Sequence, residues 1–96
     1  MSSTPSAADF ENLPDHRLML VQGDHRLALD VVEVRRLNAH AYAGEPFALT
    51  LRHTGAKKSL PQGSYRYDHP ARGILELFTV PLGPDGKGMS YEITFN

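Results

Sequence analysis

The chain has 96 residues, of which 41% are hydrophobic and 22% are charged, and its formal net charge is −1. This length predicts a single domain with one hydrophobic core, while the balanced charge argues against nucleic-acid binding, which needs clustered Lys and Arg. The lack of cysteine excludes disulfides and thiolate metal sites.

Two segments are expected before the first strand. Residues 1–8 are small and polar, so we predict a flexible tail there. Residues 9–13 predict a short helical turn, in which Phe10 and Leu13 lie on one face and can cover one end of the core. Pro14 is expected to end that turn, because proline disfavours the helical conformation of the residue before it.

The first two strands are predicted at residues 17–22 and 25–37, with Gly23 and Asp24 forming the tight turn between them. In the longer strand the apolar parity changes at Val31 and Val32, which is typical of a β-bulge. A helix over residues 29–43 is the competing interpretation. The β-branched valines favour the strand.

The second half of the chain alternates apolar and polar residues between segments rich in Gly, Pro and Asp, which form turns. A loop is predicted at residues 81–88, and four more strands are predicted at residues 47–53, 64–67, 73–80 and 89–95. The pattern predicts an all-β fold: one antiparallel β-barrel or small sandwich of about six strands, spanning residues 9–96.

Several short motifs in this half occur together: P-F-A-L-T-L-R at 46–52, L-P-Q-G-S-Y at 60–65, H-P at 69–70, L-F-T-V-P-L-G-P-D at 77–85 and Y-E-I-T-F-N at 91–96. With them the chain resembles a family of short bacterial β-domains of unknown function. The resemblance is strongest over residues 46–96. It implies no assigned activity, but it does imply an accessory or structural component of a phage-tail-like assembly.

The densest group of polar side chains that could support chemistry is Tyr65, Tyr67, Asp68 and His69. Such a cluster can polarise a proton donor, and together with Arg52 it could line the mouth of a ligand-binding barrel. In the alternative interpretation the tyrosine rings pack in the core, while Asp68 and His69 shape a turn. We favour the alternative, and a filled barrel with tyrosines in its core would argue against the ligand site.

Other signatures of chemistry are missing from the sequence. The five histidines have no metal-binding spacing, and no serine lies in a G-x-S-x-G motif. The Gly-Lys pair at 86–87 lies in a predicted turn between strands, whereas a phosphate-binding loop precedes a helix. We therefore predict no metal and no cofactor, and the sequence favours a non-catalytic domain over an enzyme.

Localisation and partners complete the predictions. No apolar run approaches the ~20 residues of a membrane-spanning helix, and the N-terminus lacks the features of a secretory signal. We expect a cytoplasmic protein without membrane contact. Its partner is expected to be another protein or a second copy, paired to an edge strand of the sheet. A small-ligand-binding barrel or minor enzyme remains the alternative.

Overall fold

The computed structural model describes residues 5–37 and 46–95, which form a closed barrel of six antiparallel strands. A short helix, α1 (Ala7–Glu11), and a 3-10 turn (Pro14–His16) precede the barrel. The strands are β1 (Arg17–Gln22), β2 (His25–Arg36), β3 (Phe47–Thr54), β4 (Gly63–His69), β5 (Gly73–Pro84) and β6 (Gly88–Phe95). The predicted all-β fold is confirmed, and the barrel rather than the sandwich is observed.

The barrel consists of two three-stranded meanders, β1-β2-β3 and β4-β5-β6. Their first strands pair with each other, and so do their last strands. Each middle strand has 12 residues and a register shift, between Val31 and Glu33 in β2 and between Pro81 and Gly83 in β5. A bulge bends a strand and increases its twist. The two bulges therefore help so small a sheet to curve into a closed barrel.

Closure of the barrel gives every described strand two neighbours. The strand order is β1-β2-β3-β6-β5-β4, with β1 also paired to β4. Closed barrels remove the unpaired edges that open sheets present. The described part of the chain therefore offers no free edge strand for the association that the sequence led us to expect. A protein partner remains a prediction.

Most strand bounds agree with the sequence, and the largest difference lies in β5. The strand continues to Pro84, so the predicted loop at 81–88 is wrong for its first half. Proline cannot donate to a β ladder and is tolerated at bulges, and the bulge between Pro81 and Gly83 provides such a place. The bulge predicted at Val31 is confirmed, and β2 is a strand as far as Arg36. Residues 38–45, where a linker or short helical turn was predicted, lie outside the described residues.

The N-terminal helix begins earlier in the chain than predicted. Helix α1 begins at Ala7 rather than at residue 9, with Ser6 as its N-cap, and Ala7 is 7% exposed. The predicted tail is therefore too long at its C-terminal end, because Ala7 can bury its methyl group against the barrel. Phe10 and Leu13 are both buried, which confirms that this segment covers part of the core. Residues 1–4 lie outside the described residues.

The interior of the barrel is filled by side chains. Its buried residues come from the inward positions of the strands and include Leu18, Leu20, Leu29, Leu49, Leu51, Tyr67, Tyr91 and Ile93. Truncating a buried leucine in such a core costs about 2–5 kcal/mol. Every buried side-chain nitrogen or oxygen in the described residues has a hydrogen-bond partner. None of the described helices has the length and apolar character needed to cross a membrane.

Candidate functional site

The structure distributes the five predicted site residues over different parts of the barrel. Tyr65, Tyr67 and His69 share the inward face of β4, and Asp68 faces outward between them. Arg52 lies on β3, which two strands separate from β4 in either direction around the barrel. The predicted cluster of Tyr, Asp, His and Arg side chains therefore does not converge on one mouth.

Tyr67 is a core residue. Its side chain is fully buried, and its hydroxyl lies 2.7 Å from the hydroxyl of Thr79, which is also buried. The Thr79 hydroxyl donates to the carbonyl oxygen of Leu77, so the Tyr67 hydroxyl must be the donor in their bond. Burial raises the pKa of Tyr67 to about 12, although the hydrogen bond with Thr79 opposes the shift. A tyrosine in this environment stays neutral at physiological pH and packs as the alternative interpretation predicts.

His69 attaches helix α1 to the barrel. The backbone N–H of Ala71 donates to Nδ1 at 3.0 Å, so the ring proton lies on Nε2, which donates to the carbonyl oxygen of Asp9 at 2.8 Å. Its ring meets the ring of Phe10 edge to face, with centroids 5.3 Å apart. Arg72 adds an ion pair to Asp9 at 2.6 Å. Both nitrogens of His69 therefore have structural partners.

Two tyrosines secure the loop between β3 and β4. The hydroxyl of Tyr65 donates to the carbonyl oxygen of Pro61 at 2.6 Å. The hydroxyl of Tyr91 accepts the backbone N–H of Leu60 at 2.9 Å. Sequence reasoning assigned no role to Tyr91, whose partner lies 31 residues earlier in the chain. Both hydroxyls thus stabilise the loop.

Arg52 forms an ion pair with Asp85, a residue to which the sequence analysis gave no role. The Asp85 carboxylate accepts hydrogen bonds from the Arg52 guanidinium at 2.6 Å, the Ser90 hydroxyl, and the backbone N–H groups of Lys87 and Gly88. The Arg52 hydrogen bond and the other donors hold the pKa of Asp85 far below its usual range. The detectable signal was Asp85 followed by Gly86 in a turn segment, where aspartate often accepts nearby backbone N–H groups.

Ion pairs occupy much of the outer surface. Asp68, the fifth predicted site residue, pairs with Arg26 across β1 at 3.1 Å. Arg35 of β2 forms an ion pair with Glu92 of β6 at 3.4 Å. Strand β3 lies between β2 and β6, and its residue Ala48 is only 3% exposed. The charged groups at these positions are satisfied within the chain.

One part of the outer surface is different. Ile74, Phe78 and Leu82 of β5 are 56, 53 and 54% exposed, and in the described residues the only other exposed large hydrophobic side chain is Val32. We call this surface the β5 face: Ile74, Glu76, Phe78 and Leu82, with Ser64 and Arg66 beside them on β4. Glu76 and Arg66 are opposite in register, and neither has an ion-pair partner in the described residues.

Two surface grooves lie elsewhere. One, of about 220 Å³, lies between α1 and β2 and is lined by Phe10, Glu11, His16 and residues 31–34. The other, of about 440 Å³, lies at the opposite end of the barrel and is lined by residues 55–57, Pro84 and residues 86–89. Neither contains any of the five predicted site residues. Within residues 5–37 and 46–95, no three His, Asp or Glu side chains come close enough to hold a metal ion.

Comparison with known proteins gives a family without an assigned activity. The model of a family described as Domain of unknown function (DUF6916) matches residues 5–95. No curated protein and no solved structure matches the chain significantly. The match covers α1 and all six strands. The chain therefore belongs to the DUF6916 family of domains of unknown function.

Proposed function

We propose that this domain is a non-catalytic binding or structural module that acts through protein–protein contacts made by the β5 face. The observation that carries the proposal is the exposure of Ile74, Phe78 and Leu82 on one strand of a closed barrel. Burying apolar surface contributes about 25 cal/mol per Å², so a partner that covers this row gains free energy. Large apolar side chains that are exposed together on one surface are a feature of interaction sites.

The polar groups of the predicted site argue against catalysis by these residues. Tyr67 is buried with a raised pKa, His69 has both ring nitrogens bonded, and Arg52 is paired with Asp85. A catalytic acid or base needs a hydrogen-bonding position free for the substrate. These three side chains use their polar atoms to hold the fold together.

The filled interior favours a protein partner over a small ligand. Small-molecule sites are concave and lined by a few convergent polar groups. Here the inward tyrosines pack with the leucines of the core, and the β5 face is a row of side chains on the outside of the barrel. A protein surface is the partner whose shape suits such a face.

The proposal extends to an accessory place in a larger assembly, such as the phage-tail-like assembly that the sequence resemblance implies. Assemblies repeat the same contact many times, so a contact that is weak alone becomes effective when many copies are joined. A small apolar face on a compact domain suits this use. The domain would supply a rigid surface, and the assembly would supply many copies of the contact.

Site-specific photocrosslinking in cells tests the proposal. A photoreactive phenylalanine analogue is placed at Phe78 in one variant and at Val32 in another, because Val32 is similarly exposed but lies on β2. We expect a discrete protein adduct from position 78 and little from position 32. Equal, weak labelling from both positions would contradict a contact at the β5 face.

A further inference from the structure

We propose that the β5 face binds the same face of a second copy of this chain. This inference rests on the proposed function and specifies its partner. It follows from the cross-strand register of β4 and β5, in which Phe78 lies opposite Ser64 and Glu76 lies opposite Arg66. At these two levels the outward side chains of the two strands are complementary, in size at one level and in charge at the other.

A two-fold axis that runs along the strands, midway between β4 and β5, converts this register into contacts between copies. Such an axis lays β5 of one copy over β4 of the other at the same level. Phe78 then projects over Ser64 of the second copy, where the small side chain leaves room for the ring. Facing sheets pack about 10 Å apart with interdigitated side chains, so the two Phe78 rings come side by side.

The same operation pairs the charges. Glu76 of each copy meets Arg66 of the other, which gives two reciprocal acid–base contacts. Both side chains are exposed and lack an ion-pair partner within the described part of their own chain. A self-complementary surface of this kind is what a two-fold homodimer requires. A face carrying charges of one sign would instead repel its copy.

The size of the face sets the expected strength. From Ile74 to Leu82 the row is about 26 Å long at ~3.3 Å per residue, and two strands are about 10 Å wide. This footprint is well below the ~800 Å² that each partner buries in a stable interface. We therefore expect a weak dimer in free solution, populated at high protein concentration and strengthened when several copies are tethered together.

Charge exchange provides the test, with sedimentation velocity over a concentration series as the measurement. Arg66→Glu and Glu76→Arg should each abolish dimerisation, because each places like charges across the two-fold axis. An equimolar mixture of the two variants should restore it as a heterodimer, in which both contacts regain opposite charges. Phe78→Ser should also abolish dimerisation, whereas Val32→Thr should leave it unchanged. Circular dichroism confirms that each variant is folded.

The outcomes separate this inference from the proposed function. A wild-type chain that stays monomeric at all concentrations would overturn the second copy as partner. If position 78 still crosslinks to a different protein in cells, the proposed function stands without it. Monomers together with no crosslinking would overturn both. Wild-type dimers that the charge mixture fails to reproduce would overturn the two-fold arrangement.

Discussion

Phe47 and Phe95 stack on neighbouring strands, with ring centroids 4.3 Å apart and ring planes 9° from parallel. Phe10 of helix α1 lies against both, at 5.9 and 5.4 Å. The three rings join the first residue of β3, the last residue of β6 and the N-terminal helix. They close one end of the barrel, so the stability of that end depends on aromatic packing.

Replacing Phe95 by alanine should therefore destabilise the domain. Removing a fully buried phenylalanine costs about 3–5 kcal/mol, and because Phe95 is partly exposed we expect about 2 kcal/mol. Urea unfolding measures the loss. Thr94→Ala, at the neighbouring exposed position, is the control and should change the free energy of unfolding by less than about 0.5 kcal/mol. Equal effects of the two substitutions would exclude a special role for the aromatic group.

Gly88→Ala should be far more damaging than Gly63→Ala. A Cβ atom at Gly88 would overlap the carbonyl oxygen of His53 and crowd the backbone of Thr54, whereas nothing lies within 4 Å of a Cβ at Gly63. Both glycines begin a strand, and neither has a positive φ. Thermal unfolding of the two variants gives the comparison. Similar melting temperatures would show that the β3–β6 ladder can separate at little cost.

Asp85→Asn should lower stability at neutral pH, and its effect should fade in acid. The folded-state pKa of Asp85 lies below its unfolded value, chiefly because Arg52 and Ser90 donate hydrogen bonds to it. A lowered pKa stabilises the fold above about pH 4, and the contribution is lost as pH falls further. Melting temperatures at pH 7 and at about pH 3 measure it. Asp24→Asn, in the exposed β1–β2 turn, is the control, and a pH-independent difference for Asp85→Asn would contradict the charge effect.

Tyr67→Phe should make the domain less sensitive to alkali. In the wild-type chain burial raises the pKa of Tyr67 to about 12, above the unfolded value of ~10. Tyr67 therefore makes its full contribution to the stability of the fold below about pH 10, and this contribution is lost progressively as pH rises toward 12. The variant lacks the ionisable group, so its stability should fall less over this interval. At pH 7 it should be about 1 kcal/mol less stable through the lost hydrogen bond.

Urea unfolding at pH 7 and at about pH 11 checks the Tyr67 prediction. Tyr65→Phe is the matched control, because its hydroxyl bonds the exposed loop carbonyl of Pro61 rather than a core group. If wild type and Tyr67→Phe lose the same stability in alkali, ionisation of a buried tyrosine is not the cause.

The sequence predicted those features that local patterns determine. The alternation of apolar residues located six strands, and the change of parity at Val31 located the bulge in β2. The sequence did not predict that β5 continues through Pro81, because proline normally argues against a strand and only the pairing with β6 makes the bulge possible. The sequence also left the barrel and the sandwich as alternatives, since the β1–β4 pairing that closes the barrel joins segments far apart in the chain.

The candidate site was predicted less well, for a related reason. Tyr65, Tyr67, Asp68 and His69 are adjacent in sequence, but alternation sends Asp68 to the opposite face. The partners that occupy the others come from distant segments: Thr79 for Tyr67, Asp9 for His69 and Asp85 for Arg52. No conclusion about Ile74 and Phe78 was drawn from the sequence, and the structure shows that both face outward.

The two-meander arrangement has a consequence for the order of folding. Strands within each meander are neighbours in sequence, so their hairpins form with little loss of chain entropy, whereas the two seams between the meanders join distant segments. The β1–β4 seam has only three register pairs, Met19–Asp68, Leu20–Tyr67 and Val21–Arg66, against eight for β3–β6. We expect closure of the barrel to begin with the pairing of β3 and β6. We expect local opening of the folded barrel to begin between β1 and β4. Amide hydrogen exchange should show the lowest protection along that shorter seam.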